Sequence, residues 1–288
     1  MDSGGAPHPG TDPGDAAGSG GTEGTPQPDH VVMVASGKGG VGKSTISLNL
    51  ALALAEKGAA VGLLDADVYA PDIPLMLNLT RTKPLKRWPM FGNPRLEPVR
   101  LEPVERFGLK VMSAGFLLGE DQALSLPASS INFVLNQLAR QVVWGKLDYL
   151  VVDLPPGTAD VQQHIVGLLE PSGVVIVVSP QDLAHLDAKR VISMFAEANV
   201  PVLGGVENMH GLVCPHCDAE VEIFPSVRES RSIWSAGVKK LGELPFGPAL
   251  AQLAERGQPL LIATPEDAQA ERFRTIAASV VTALDAPH

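Results

Sequence analysis

A glycine-rich segment near the amino terminus has the residue types and spacing of a phosphate-binding loop. Gly37 is followed, after four residues, by Gly42, Lys43 and Ser44. An apolar run precedes the segment and a helical pattern over residues 46–57 follows it, which is the strand–loop–helix context that such a loop requires. A glycine-rich turn that matches by chance is the alternative. We expect a nucleotide to bind at Gly37, Lys38, Gly39, Gly40, Val41, Gly42, Lys43, Ser44 and Thr45.

Two side chains of this segment have expected roles in the chemistry of a triphosphate. Lys43 is placed to reach the β- and γ-phosphates, and the Ser44 hydroxyl is placed to bind Mg²⁺. The glycines allow backbone N–H groups to approach the phosphate oxygens, and the amino end of the following helix adds a favourable field. The segment therefore predicts a site for a nucleoside triphosphate and Mg²⁺.

Carboxylates follow two buried strands further along the chain. Asp65 and Asp67 end the apolar run that begins at residue 60, and Asp153 ends a second run. We expect Asp67 to orient the attacking water with support from Asp65, and Asp153 to reach Mg²⁺ or its water. Gly157 would let the backbone approach the γ-phosphate. The alternative for each aspartate is a solvated or merely structural strand end.

The elements that must position these residues alternate between strands and helices. This alternation predicts an α/β fold, a doubly wound and mostly parallel sheet with helices on both faces, and a ligand at the carboxyl ends of the strands. The strands are predicted at 31–34, 60–65, 109–113, 148–153, 173–179, 201–207 and 240–244, and the helices at 46–57, 129–144, 183–198, 247–256 and 266–284. We expect residues 31–288 to form a single P-loop ATPase domain.

Two segments stand outside this pattern. Residues 1–30 are rich in Gly and Pro and contain no Leu, Ile, Val, Phe, Trp or Tyr, so we expect a disordered tail. Residues 81–110 contain eight basic and three acidic side chains. This basic insertion is either a docking surface for an acidic partner or a solvated flap.

The bulk composition excludes several classes of function. A net charge of −10 over 288 residues argues against sequence-independent nucleic-acid binding. No apolar run is long enough to span a membrane, and the start has no signal-peptide pattern. Two cysteines cannot form a disulfide framework, so we expect a cytoplasmic protein.

Those cysteines, Cys214 and Cys217, form a CxxC motif. Two thiolates can hold one face of a metal but cannot complete four-coordination, whereas a symmetric dimer would supply four thiolates. Three interpretations remain open: ligands of zinc or an iron–sulfur cluster, a dithiol redox pair, or inert thiols. His216 is interpreted as a solvated loop residue.

Taken together, these motifs resemble those of the Mrp-type subfamily of deviant Walker A ATPases, which are iron–sulfur cluster carriers. The resemblance rests on residues 37–44, 65–69, 144–158, 207–209 and 214–217. It implies a homodimer in which Lys38 crosses to the partner's nucleotide, Asn208 contacts adenine and a [4Fe-4S] cluster bridges the Cys214 and Cys217 pairs. It also implies slow ATP hydrolysis, and apo iron–sulfur proteins and a cluster scaffold as partners.

The sequence also departs from that family. Residues 224–230 stand where the family usually has a glycine-rich segment, so the surroundings of the cluster could differ. Two other functions remain open: a spatial-organising ATPase like MinD or ParA, and an ATPase whose dimer is held by structural zinc. The acidic composition and the CxxC motif count against the first, so we expect neither nucleic acid nor membrane as a partner.

Overall fold

The computed structural model describes residues 1, 27–80, 100–117, 128–157, 160–214, 216–217 and 219–286. The predicted tail lies outside the described residues except at its two ends. Residues 81–99 of the basic insertion also lie outside them, so its two interpretations remain predictions.

Parallel strands form the centre of the sheet. Among the described residues the sheet has nine strands: β1 (His30–Ser36), β2 (Val61–Asp65), β3 (Val104–Arg106), β4 (Leu109–Ser113), β5 (Tyr149–Asp153), β6 (Gly173–Val178), β7 (Val202–Val213), β8 (Glu220–Val221) and β9 (Lys240–Phe246). They lie in the order β3-β4-β2-β5-β1-β6-β7-β8, with β9 paired to β7. Of these nine, only β3 and β8 run antiparallel to their neighbours.

Helices connect and cover the strands. They are α1 (Lys43–Glu56), α2 (Ile73–Met76), α3 (Ala128–Arg140), α4 (Asp160–Leu169), α5 (Asp182–Glu197), α6 (Pro248–Glu255), α7 (Leu260–Ala263) and α8 (Ala268–Leu284). The connection from β1 to β2 runs across the sheet in one direction and that from β5 to β6 in the other. Because crossovers between parallel strands are right-handed, the two directions place helices on opposite faces. The doubly wound fold predicted from the sequence is confirmed.

The helix after the glycine loop, α1, is buried along nearly its whole length. It packs on β1, β2 and β5 and is covered by α8. Its Leu and Ala side chains suit this position, since both favour the helical conformation and are among the residues most often fully buried. Burial on both sides fixes the direction of the helix, and therefore the direction of the loop at its amino end.

The sequence did not predict the elements α2, α4, α7, β3 and β8, and two predicted elements end at other residues than expected. The strand predicted to end at residue 207 continues as β7 to Val213, because β9 and β8 supply hydrogen-bonding partners along the polar extension. The helix predicted to reach residue 144 ends at Arg140, and the chain then pairs Val142 with Leu101. Among the described helices, none has the length and apolarity needed to cross a bilayer.

Candidate functional site

The glycine loop joins β1 to α1 in a conformation that needs glycine. Gly40 and Gly42 have φ angles of 78° and 84°, in the left-handed region. A Cβ atom on Gly42 would also collide with the side-chain amide of Asn208. Helix α1 then begins at Lys43 without a side-chain cap, so its first N–H groups remain directed at the loop. This is the backbone arrangement that binds phosphate.

Lys43 and Asp153 form a buried ion pair at the carboxyl edge of the sheet. The Lys43 Nζ lies 2.7 Å from Asp153 Oδ1, and the side chains are 6% and 0% exposed. The Ser47 hydroxyl donates to the same carboxylate oxygen at 2.6 Å. Lys43 Nζ also lies 3.4 Å from Ser44 Oγ. The two residues predicted for phosphate and Mg²⁺ therefore lie in contact with each other at this edge of the sheet.

The second oxygen of Asp153 tests whether this edge suits a cation. Asp153 Oδ2 is buried and has no hydrogen-bonding partner among the described residues. A buried carboxylate oxygen without a partner is costly, and a cation or its water would satisfy it. Together with the Ser44 hydroxyl, this donor set fits Mg²⁺, which prefers oxygen ligands.

Asp65 lies in the same buried group of charges, at the end of β2. Its Oδ2 accepts a hydrogen bond from Ser113 at 2.8 Å, and its Oδ1 accepts one from the Asp67 backbone at 3.2 Å. Burial, and then the nearby charge of Asp153, raise the pKa of Asp65 well above its usual value. Asp65 therefore helps to position Asp67 by accepting its backbone N–H, while Ser113 orients the Asp65 carboxyl group.

We expect Asp65→Asn to stabilise the nucleotide-free and Mg-free protein at neutral pH. Because the folded pKa is raised, the stability contributed by this carboxyl is complete below its unfolded pKa and is lost as pH rises through the folded value. The amide avoids that loss, so Tm at pH 8 should rise by roughly 3 °C, the shift that about 1 kcal/mol makes in a domain of this size. The gain should shrink as pH approaches 4 in calorimetric scans, and a gain independent of pH would contradict the assignment.

Asp67, predicted to orient water, is also fixed by the turn that follows β2. Its Oδ1 accepts hydrogen bonds from the backbone N–H groups of Tyr69 at 3.2 Å and Ala70 at 3.1 Å. The residue is 4% exposed, and burial raises its pKa. This carboxylate is thus held rigidly beside the lysine and the other two aspartates.

The remaining nucleotide residues are distributed around the loop. Gly157 has a φ of 94°, an open space where a Cβ would stand, and an N–H that donates to Ser36 O at 2.9 Å. Asn208 lies on β7, and its Nδ2 donates to Val41 O at 2.8 Å. An adenine contact by Asn208 stays a prediction. What the structure adds is a direct hydrogen bond between β7 and the glycine loop.

Lys38 binds within its own chain. Its Nζ donates to Gln181 Oε1 at 2.6 Å, and its carbonyl accepts from Ser36 Oγ at 3.0 Å. The role expected across a dimer interface requires this contact to Gln181 to break. Gln181 immediately precedes α5, so the loop lysine is joined to the amino end of that helix.

The cysteine pair lies directly after β7. Cys214 is half-buried, Cys217 is exposed, and both are free thiols. The His216 backbone N–H and then the Cys217 thiol donate to Cys214 and lower its pKa, which favours the thiolate that binds metal. His216 is exposed, in agreement with its interpretation as a solvated residue.

Three contributors to the site were not found by sequence reasoning. Ser47, Ser113 and Gln181 hold Asp153, Asp65 and Lys38 respectively. Ser47 could have been found, since it lies four residues after Lys43 and thus on the same helix face. Ser113 ends β4 at the edge where β2 and β5 also end, whereas no pattern marks Gln181 as a partner of Lys38.

Comparison with known proteins decides the family. Residues 27–281 match the family described as ParA: NUBPL iron-transfer P-loop NTPase. This chain belongs to that family. The mouse iron-sulfur cluster transfer protein NUBPL is 43% identical over 258 residues, which cover 88% of this chain and 77% of the mouse protein. The iron-sulfur cluster carrier protein of Aquifex aeolicus is 40% identical over 249 residues, which cover 86% of this chain and 66% of its own length.

Solved structures of nucleotide-binding proteins share the fold of this NUBPL-family chain. A nucleotide-binding protein of Archaeoglobus fulgidus in complex with ADP superposes with a TM-score of 0.69 at 34% identity, covering 85% of this chain and 92% of its own. MinD of Pyrococcus horikoshii, complexed with Mg-ADP, superposes with a TM-score of 0.62 at 20% identity, covering 87% and 95%. The second likeness shows the fold alone.

Proposed function

We propose that this chain is an ATP-hydrolysing iron–sulfur carrier. It works as a homodimer that holds a [4Fe-4S] cluster between two Cys214–Cys217 pairs, receives it from a scaffold and transfers it to apo-proteins. The observation that carries the proposal is the position of the free cysteine pair. It follows directly on β7, the strand whose Asn208 is hydrogen-bonded to the glycine loop. Membership in an iron-transfer family supports the cargo.

The cysteine pair fits a cargo that must leave again. One chain supplies two thiols, and among the described residues no further cysteine exists to complete four-coordination. The remaining ligands would come from the partner, so separating the two chains would expose the cluster. An exposed Cys217 and a thiolate-favouring Cys214 allow an acceptor's thiols to attack from solvent.

The aspartates and lysine at the sheet edge would perform the hydrolysis. Lys43 would contact the β- and γ-phosphates in place of Asp153, and Asp153 and Ser44 are the residues that would hold Mg²⁺. Bound Mg²⁺ supplies charge neutralisation at the phosphates. Asp67 orients the attacking water, and its two backbone hydrogen bonds fix its direction. Slow turnover suits a switch between two states of the dimer better than it suits bulk hydrolysis.

Two connections would transmit the nucleotide state to the cysteines. The first is the Asn208–Val41 hydrogen bond, through β7 to Cys214. The second runs from Lys38 through Gln181 to α5, where Asp182 accepts hydrogen bonds from the Arg228 backbone and the Arg231 side chain, each at 2.9 Å. Those arginines belong to the segment between the cysteine pair and β9. A shift of the glycine loop would therefore move the chain on both sides of the cysteine pair.

The proposal is tested by anaerobic transfer of a reconstituted cluster to an apo acceptor, with and without Mg-ATP. We expect the transfer rate to depend on Mg-ATP, and Cys214→Ser with Cys217→Ser to hold no cluster. Equal rates would contradict the coupling. Zinc in place of iron in anaerobically isolated protein, with no visible absorption, would favour the structural-zinc alternative.

We expect Gln181→Ala to promote dimerisation in ATP. The substitution removes the acceptor that holds Lys38 in its own chain, a contact to a charged group of about 1.5 kcal/mol. Because each of the two protomers must break this contact, the dimer should form roughly a hundredfold more tightly. Analytical ultracentrifugation at several concentrations measures the change, with Lys38→Ala as the variant that should not dimerise. If the Gln181→Ala variant instead associates more weakly, Gln181 contributes to the dimer interface and does not compete with it.

We further propose that residues 31–288 act as one ATPase domain in the cytoplasm, without nucleic acid or membrane as a partner. The acidic net charge of −10 supports this. Co-sedimentation with liposomes and with DNA, each with ATP, is expected to leave the protein in the supernatant. Binding to either would favour an organising function of the MinD or ParA kind.

A further inference from the structure

A second group of metal-binding residue types lies where β7 pairs with β9, and the proposed function does not use it. It consists of Glu207, His210 and Glu243, whose potential ligand atoms all lie within 4.8 Å of one another. His210 Nδ1 is 2.9 Å from Glu207 Oε2 and 3.9 Å from Glu243 Oε2. Ligands about 2.1 Å from a tetrahedral metal stand about 3.4 Å apart, so these distances lie on either side of the required one.

Two ring N–H groups, of Trp234 and His185, face the buried carboxylate of Glu207. Its Oε1 lies 3.4 Å from Trp234 Nε1 and 3.7 Å from His185 Nε2. His185 Nδ1 accepts the Ile233 N–H at 3.2 Å, which places the proton of the neutral ring on Nε2, facing Glu207. His185 is fully buried, and among the described residues its Nε2 has no partner within hydrogen-bonding distance. Oriented ligands of this kind favour metal binding.

The group already attracts a cation. Lys240 Nζ lies 2.8 Å from Glu207 Oε2 and 3.1 Å from Glu243 Oε2. One ammonium leaves a net charge of −1 on this pair of carboxylates, whereas a divalent ion would neutralise it. Lys240 is 36% exposed at the end of a flexible side chain, so it can turn to solvent.

The site is also reachable from solvent. His210 is 44% and Glu243 is 39% exposed, while Glu207 forms the buried floor at 5%. For Nδ1 of His210 to donate its lone pair, the ring proton must be carried on Nε2, and an exposed ring can make this change of tautomer without burying a charge. Lys240 leaves the carboxylates as an ammonium ion, so the exchange replaces one cation by another.

We propose that Glu207, His210 and Glu243 bind one divalent first-row transition-metal ion in exchange with the ammonium of Lys240. The imidazole selects such ions over Mg²⁺ and Ca²⁺, which prefer all-oxygen sites. Competition with Lys240 makes the ion exchangeable rather than structural. Glu207 and His210 lie on β7 on either side of Asn208, which contacts the glycine loop, and His210 lies four residues before Cys214. A bound ion would therefore sit beside the connection between nucleotide and cysteines.

The test is a calorimetric Zn²⁺ titration of the full chain carrying Cys214→Ser and Cys217→Ser, without nucleotide, at pH 7.5. We expect one Zn²⁺ per chain. In this background, His210→Ala and Glu243→Gln should each weaken binding by tenfold or more, on the order of the losses seen when metal-site groups are removed. Lys240→Gln should bind Zn²⁺ several times more tightly. Glu207 is left intact because its burial ties it to folding.

His216→Ala is the matched control, since it removes an exposed histidine outside the group and should bind Zn²⁺ like its parent. Circular dichroism checks that every variant is folded. The proposal is overturned by a cysteine-free chain that takes up no Zn²⁺, by equal affinity in the His210 and Glu243 variants, or by unchanged affinity on replacing Lys240. With the cysteines absent, none of these results depends on the carrier function.

Discussion

Lys43→Ala should weaken ATP binding by roughly a hundredfold and also destabilise the protein without ligand. A hundredfold loss corresponds to about 2.7 kcal/mol, within the range for removing one partner of a buried charged contact. The stability effect follows from the structure: Lys43 Nζ is the cation 2.7 Å from the fully buried Asp153 carboxylate. Breaking a buried ion pair on one side typically costs about 3 kcal/mol or more.

A double variant separates the two effects. Adding Asp153→Asn to Lys43→Ala replaces the unpaired carboxylate with an amide, which can still accept from Ser47, so we expect most of the stability to return. ATP affinity should not return, because the phosphate-binding ammonium is still missing. Equilibrium ATP titration and urea unfolding measure the two quantities. Unchanged ATP affinity in Lys43→Ala would remove the lysine from the nucleotide site.

Asp67→Asn should lose hydrolysis about as completely as Asp67→Ala, by roughly 10²–10³-fold, while both retain ATP binding. The comparison matters because the carboxylate also fixes a turn. Its Oδ1 accepts the N–H groups of Tyr69 and Ala70, and an asparagine preserves that acceptor while removing the charge. A role in orienting water predicts two inactive variants, whereas a role in the turn alone predicts a nearly normal asparagine variant.

Phosphate release under single-turnover conditions measures this step, and ATP titration provides the control for binding. The pH profile gives a second test. Burial raises the pKa of Asp67, and the role requires the ionised form, so hydrolysis should fall with decreasing pH at a pH above the ordinary titration of aspartate. A hydrolysis rate that does not change down to pH 4 would mean that a group other than Asp67 orients the attacking water.

Much of the fold follows from local pattern alone. The glycine loop, the strands that end in aspartate and the alternation of strand and helix are set by residue type and spacing, which act over a few residues. The predicted strands of the central sheet all form, and the residues expected at its carboxyl edge, Lys43, Asp65, Asp67 and Asp153, lie together there. The end of β7 was not predictable, because its polar extension is a strand only when β8 and β9 pair with it.

The sequence by itself determined the phosphate loop, the doubly wound sheet and the family, because short contiguous motifs predict each of them. Only the tertiary structure decided which distant residues meet: Lys38 with Gln181, Asn208 with Val41, and Glu207 with His185 and Lys240. The physical reason is that hydrogen bonds and ion pairs act over about 3 Å. Strand order, register and helix packing bring residues that are far apart in the sequence within this distance. Local residue preferences do not encode these features.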